Sequence, residues 1–165
     1  MNIRTLIFLL LITYKTSPGQ EFAPNGLGPF EIGTPYIELQ QNLEEYLSIS
    51  YGQKYYYYTG KNLDVWEGLK IHKISLGFFQ GKLNYIDFYF RKPEENTFLF
   101  LLSKCETLLG KAAKIEKASE KGVFRAYSWT HDLNYFQLIS YNNEAIDWDD
   151  RNMTILMVQY KGAGN

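Results

Sequence analysis

Leu69 to Phe90 reads LKIHKISLGFFQGKLNYIDFYF, and this stretch decides the fold class. Ile74, Leu76 and Phe78 recur every second residue, as do Ile86, Phe88 and Phe90 after the turn Gln80-Gly81-Lys82, with Tyr85, Asp87 and Tyr89 on the opposite side. A period of two broken by a glycine turn predicts an antiparallel hairpin. Leu69 and Ile71 run out of phase with Ile74, so a bulge is expected at His72-Lys73.

Both flanks of this hairpin carry the spacing of amphipathic helices. Downstream, Phe98, Leu101, Leu102, Cys105, Leu108 and Leu109 line one helical face, and Gly110 follows where a helix exit wants a left-handed residue. Pro93-Glu94-Glu95-Asn96 gathers negative charge near the helix start, favourable to its dipole. Upstream, Thr34 stands as an N-cap, Pro35 suits the first turn, and Tyr36, Leu39, Leu43, Tyr46 and Leu47 predict a helix ending near Ser48.

Phe30 and Ile32 share a face of a short leading strand, and Phe124 to Thr130, Tyr135 to Tyr141 and Met153 to Tyr160 have strand content. Lys111 to Gly122 (KAAKIEKASEKG) reads as a solvated connector. The order strand, helix, hairpins, helix, hairpins argues for α+β, two helices packed on a mainly antiparallel sheet, and against a doubly wound parallel sheet. Each helix is followed by a Gly-containing polar stretch, an aromatic strand and a hairpin, so two similar α-β-hairpin halves are expected. Residues 20–160 form one domain in this reading, and 161–165 fray.

The start of the chain has the marks of an export leader. Arg4 precedes the apolar run Leu6 to Ile12, and Ser17 and Gly19 are small residues placed for cleavage before Gln20, giving a signal peptide over 1–19. Seven apolar residues are too few to span a bilayer, so no integral membrane segment is expected after cleavage. The chain has 165 residues with 17 basic and 18 acidic side chains; losing Arg4 and Lys15 leaves 15 basic residues and a net charge of −3. That balance gives no electrostatic pull on nucleic acid. Cys105 is the only cysteine, so no intramolecular disulfide can form, and its place in an apolar stripe marks a buried hydrophobe.

The Ile32-Gly33-Thr34 entry, the Leu109-Gly110-Lys111 exit and Tyr127-Ser128-Trp129 resemble small exported bacterial proteins of SmpA/OmlA and β-lactamase-inhibitor-protein type architecture. The Ser-x-Gly-Gln leader resembles those of Bacteroidetes exported proteins. No lipobox cysteine is present, a departure from the SmpA/OmlA pattern. The resemblance implies a protein-interaction or envelope module and brings no catalytic residue with it; the leader makes the expected location exported, in the periplasm or extracellular.

The sharpest local feature is Tyr55-Tyr56-Tyr57-Tyr58, with Trp66 eight residues beyond. In an extended segment these rings divide between two faces. One face enters the core, and the other presents phenols suited to a protein partner or, alternatively, a glycan or small ligand. The plain alternative is a half-buried strand whose outer tyrosines rest on the stems of Lys54 and Lys61. Tyr55, Tyr56, Tyr57, Tyr58 and Trp66 are therefore the candidate binding residues. Exposure of Tyr56, Tyr58 and Trp66 as a flat patch would favour protein contact and a groove would favour a ligand, whereas burial would remove the motive for both.

Catalytic and metal motifs are sparse. The acidic segment Asn142 to Asn152 (NNEAIDWDDRN) has carboxylates for Ca²⁺ but lacks the EF-hand glycine and terminal glutamate, which favours a solvated hairpin loop. His131-Asp132 at a hairpin turn would need a nearby hydroxyl to act as a hydrolase. The chain has no G-x-S-x-G, H-E-x-x-H, P-loop or C-x-x-C motif. The expectation is a non-enzymatic protein without cofactor or metal whose partner is a protein.

Overall fold

The computed structural model describes residues 22–49, 52–61, 63–91, 95–119, 122–143 and 152–163. The expected leader and the acidic part of the Asn142 to Asn152 loop lie outside the described residues. In chain order the elements are β1 (Phe22–Ala23), β2 (Gly26–Leu27), β3 (Phe30–Glu31), α1 (Tyr36–Leu39), β4 (Leu43–Ile49), β5 (Gln53–Tyr58), β6 (Val65–Trp66) and β7 (Leu69–Lys70). There follow β8 (Lys73–Phe79), β9 (Lys82–Arg91), α2 (Glu95–Leu109), β10 (Ala113–Ser119), β11 (Gly122–His131), β12 (Asn134–Asn143) and β13 (Asn152–Tyr160).

An eight-stranded antiparallel sheet in the order β10-β11-β12-β13-β9-β8-β5-β4 dominates the chain. The order is mirror-like: α1 precedes the four strands of one half and α2 the four of the other. The last strand of each half, β9 and β13, pair at the centre, with Phe88 opposite Leu156. This is the α+β architecture read from the hairpins, weighted more heavily toward sheet.

Alternation gives the sheet two unlike faces. On one, Leu76, Ile86, Phe88, Phe136, Leu138, Leu156 and Val158 are fully buried. Phe98, Leu101 and Cys105 of α2 pack on this core, as do Phe30 and the β6-β7 hairpin through Trp66, whose ring meets Phe88 at 5.6 Å and 89°. α2 ends as its sequence predicts: Gly110 takes φ +82°, its N–H donates to Glu106 O, and Trp129 Nε1 donates to Gly110 O at 2.8 Å. The β8-β9 turn is also as expected. Gln80 and Gly81 both have positive φ, 50° and 75°, the two-residue geometry that matches strand twist.

Four expectations are corrected. The helix from Tyr36 to near Ser48 stops at Leu39, passes through one 3₁₀ turn at Gln40–Asn42 and becomes strand β4. Tyr36, Leu39 and Leu43 do pack against the core, but Tyr46 and Leu47 are exposed. The backbone ladder that β5 offers to β4 is a long-range gain invisible to local periodicity. Thr34 is not the cap; its hydroxyl donates back to Glu31 O at 2.7 Å. The register shift falls at Gly77/Phe78, while His72 lies in the break between β7 and β8. The Lys111 to Gly122 connector contains β10, an edge strand whose alternating polar sequence suits a sheet border. Past β13, Lys161–Ala163 form a 3₁₀ turn tied back by Lys161 N–H donating to Leu133 O at 2.8 Å.

Candidate binding cleft on the tyrosine face

The four-tyrosine run splits as an extended strand must. Tyr56 is 5% exposed and Trp66 1%, both within the core, and Tyr58 leans on Phe30 at 4.9 Å. Tyr55 and Tyr57 stand on the opposite face. The patch of Tyr56, Tyr58 and Trp66 that would favour contact or a groove is thus core material. Of the five candidate residues, Tyr55 and Tyr57 belong to a different surface.

Strand register assembles that surface. One row across the sheet runs Tyr57, Ser75, Asp87, Met157, and the next runs Tyr55, Gly77, Tyr85, Gln159, Tyr135. Tyr46 joins through the β4 bulge: it stacks on Tyr57 at 4.0 Å and 8°, with its hydroxyl 2.8 Å from Ser75 Oγ. The lysine that rests on these rings is Lys73, with Nζ 4.6 Å from the Tyr89 centroid and 5.4 Å from that of Tyr57. Lys54 instead pairs with Glu45 at 3.2 Å.

Asp87 sits beneath the tyrosines, 3% exposed. Its Oδ2 accepts from Tyr85 Oη at 2.7 Å and Tyr89 Oη at 3.0 Å, while Oδ1 has no hydrogen-bond partner among the described residues. Burial pushes its carboxyl up to about 6, against the opposing pull of the two phenols and Lys73. Burial, then the Asp87 charge, holds the Tyr85 and Tyr89 phenols well above their ordinary range. Both remain donors at any ordinary pH.

Beside the second row lies a cleft of about 460 Å³ lined by Gln53, Tyr55, Asn84, Tyr135, Gln159, Tyr160 and Lys161. That size is within the range of small-ligand sites. Its groups are held in place by neighbours. Gln53 and Asn84, the latter at the β9 bulge, exchange reciprocal amide hydrogen bonds of 3.0 and 3.2 Å. Tyr55 meets Tyr85 edge to face. The Tyr160 ring lies so close over Gly162 that a Cβ there would stand 2.6 Å from it. Lys161 Nζ donates to Thr130 Oγ1 at 2.9 Å and lies 5.4 Å from the Tyr135 centroid. A second recess of about 430 Å³ backs onto the cleft through Asn84 and Tyr160.

Sequence reasoning singled out Tyr55 but not Gln53, Asn84, Tyr135, Gln159, Tyr160 or Lys161, which come from four strands and the turn after β13. The alternation Tyr85-Asp87-Tyr89 was the readable signal, because a strand with one apolar face and a carboxylate between tyrosines on the other marks a built polar surface.

The other candidate chemistry stays dispersed. His131 Nδ1 approaches Asp132 Oδ2 at 3.3 Å but makes no hydrogen bond among the described residues, and the adjacent Thr130 hydroxyl is engaged by Lys161. Cys105 is buried within α2, which pushes its thiol up to about 12. Among the described residues no group of three His, Cys, Asp or Glu side chains could hold a metal, and no helix is long and apolar enough to cross a membrane. No family model, no curated protein and no solved structure matches the chain.

Proposed function

We propose that this chain is an exported, non-enzymatic binding module that holds a glycan unit in the cleft of Gln53, Tyr55, Tyr135, Gln159 and Tyr160. The observation that carries the reading is the convergence of three half-buried tyrosines and three carboxamides on one recess. Tyrosine rings offer apolar area with a hydroxyl tip, which suits the mixed C–H and O–H surface of a sugar. A carboxamide has two donors and two acceptor sites, so after the pair forms Asn84 retains one N–H and one lone pair, while Gln53, whose side chain also bonds Tyr55, retains one lone pair. Such groups match neighbouring hydroxyls. Because each is already oriented, less ordering entropy is lost on binding. Export rests on the leader-like 1–19 and on the resemblance to exported envelope proteins.

Calorimetric titration against neutral and acidic oligosaccharides tests this. Binding is expected to fall at least tenfold on Tyr135→Ala or Gln159→Ala, with unfolding midpoints close to wild type. Undiminished binding by both variants, or no binding by the wild type, overturns it.

A second reading, contact with a protein partner, draws on α2, where Leu99, Phe100 and Leu108 are 49%, 38% and 37% exposed. A photo-crosslinker at position 99 would join the chain to one discrete protein in cells. Absence of any adduct would sink that reading.

A further inference from the structure

We infer that the cleft is selective for an acidic sugar, a uronate-type unit whose carboxylate is read by Lys161; this rests on the glycan reading above. Among the described residues Lys161 is the only charged side chain lining the cleft. Its ammonium has three donors, of which one is directed at Thr130 Oγ1. It has no carboxylate partner among the described residues, and the nearest acid in sequence on the adjoining hairpin, Asp132, is turned to His131.

The position of this lysine is fixed from both ends. Its backbone N–H is bonded to Leu133 O, and its Nζ is held by Thr130 while lying against the Tyr135 ring. A lysine anchored in this way is a placed charge more than a freely swinging one. The rest of the lining among the described residues, tyrosines and carboxamides, is neutral and offers no opposing carboxylate. A ligand anion there meets a cation with two N–H groups to spare, and a charge-assisted bond is about twice as strong as a neutral one. A neutral sugar of the same shape gains only the carboxamide and ring contacts.

The experiment uses protein expressed from the full-length sequence, with trisaccharides of galacturonate and of glucuronate and their methyl esters, which keep the shape and remove the charge. At low salt the acid form of at least one is expected to bind about tenfold more tightly than its ester. Lys161→Gln should bring that ratio near one, and Lys161→Arg should preserve it. Equal binding of acid and ester by the wild type, or an unchanged ratio in Lys161→Gln, overturns the inference while leaving the glycan reading intact. Failure of both acids and both esters to bind overturns this inference, and failure of the neutral oligosaccharides as well overturns the glycan reading. Because Lys161 is exposed in the turn after β13, the variants are expected to fold, and an unchanged unfolding midpoint checks it.

Discussion

Tyr55 and Tyr85 meet edge to face over Gly77, their ring centroids 5.5 Å apart and their planes at 85°. A Cβ on Gly77 would stand 2.8 Å from Tyr85 Cβ and 2.9 Å from Tyr55 Cε1. Gly77 therefore exists for the rings and not for a turn. Gly77→Ala is expected to lower stability by about 1–3 kcal/mol, the usual scale of overpacking, and to push Tyr55 out of the cleft. Urea unfolding and a glycan titration should both register it; wild-type values in the two would contradict this account.

Asp87 makes stability depend on pH with a definite sign. Its carboxyl titrates near 6 in the folded chain against an ordinary 3.8, so between those values the folded state binds the extra proton. Stability then falls as pH rises through that window and is fully reduced above it. Asp87→Asn removes the charge and retains an acceptor for Tyr85 and Tyr89. It should raise stability by about 1–3 kcal/mol at pH 7.5 and have little effect near pH 4. Urea midpoints of both proteins across pH 4 to 8 test this, and a wild type that outlasts the variant at pH 7.5 would refute it.

The adjacent residues Tyr56 and Tyr57 should behave oppositely. Tyr56 is buried against Tyr36 and Phe78, so Tyr56→Ser removes a core ring and should cost about 3–5 kcal/mol. Tyr57 is half-buried and stacked on Tyr46, so Tyr57→Ser should cost about 1 kcal/mol. Similar losses for both would mean that the strand register is other than described.

Local signals carried the parts of the fold whose determinants are local. The 80–81 turn, the α2 stripe with its Gly110 exit and the alternation of β9 each lie within a short window. Strand β4 was illegible because Tyr36, Leu39 and Leu43 satisfy a helical spacing and the core alike, and only the free edge of β5 decides for strand. β10 was hidden for a similar reason: its polar alternation resembles a solvated linker until β11 supplies a partner. The cleft was less readable still. Lys161 reaches Thr130 across 31 positions and Gln53 reaches Asn84 across the same span, so no window of sequence contains the site.

That Gln53–Asn84 pair yields a prediction separable from binding. Asn84 is 6% exposed, and its amide is matched by Gln53. Gln53→Leu leaves both polar atoms of a buried carboxamide without this partner and should cost about 1–3 kcal/mol. Asn84→Leu should cost less, because Gln53 is half-buried and water can replace the lost bonds. If the pair acts as a unit, the double substitution should be less destabilising than the summed singles by about 0.5–1.5 kcal/mol. Strict additivity in the cycle would show the two amides to be independent, and the cleft would then lose its most firmly held pair of hydrogen-bonding groups.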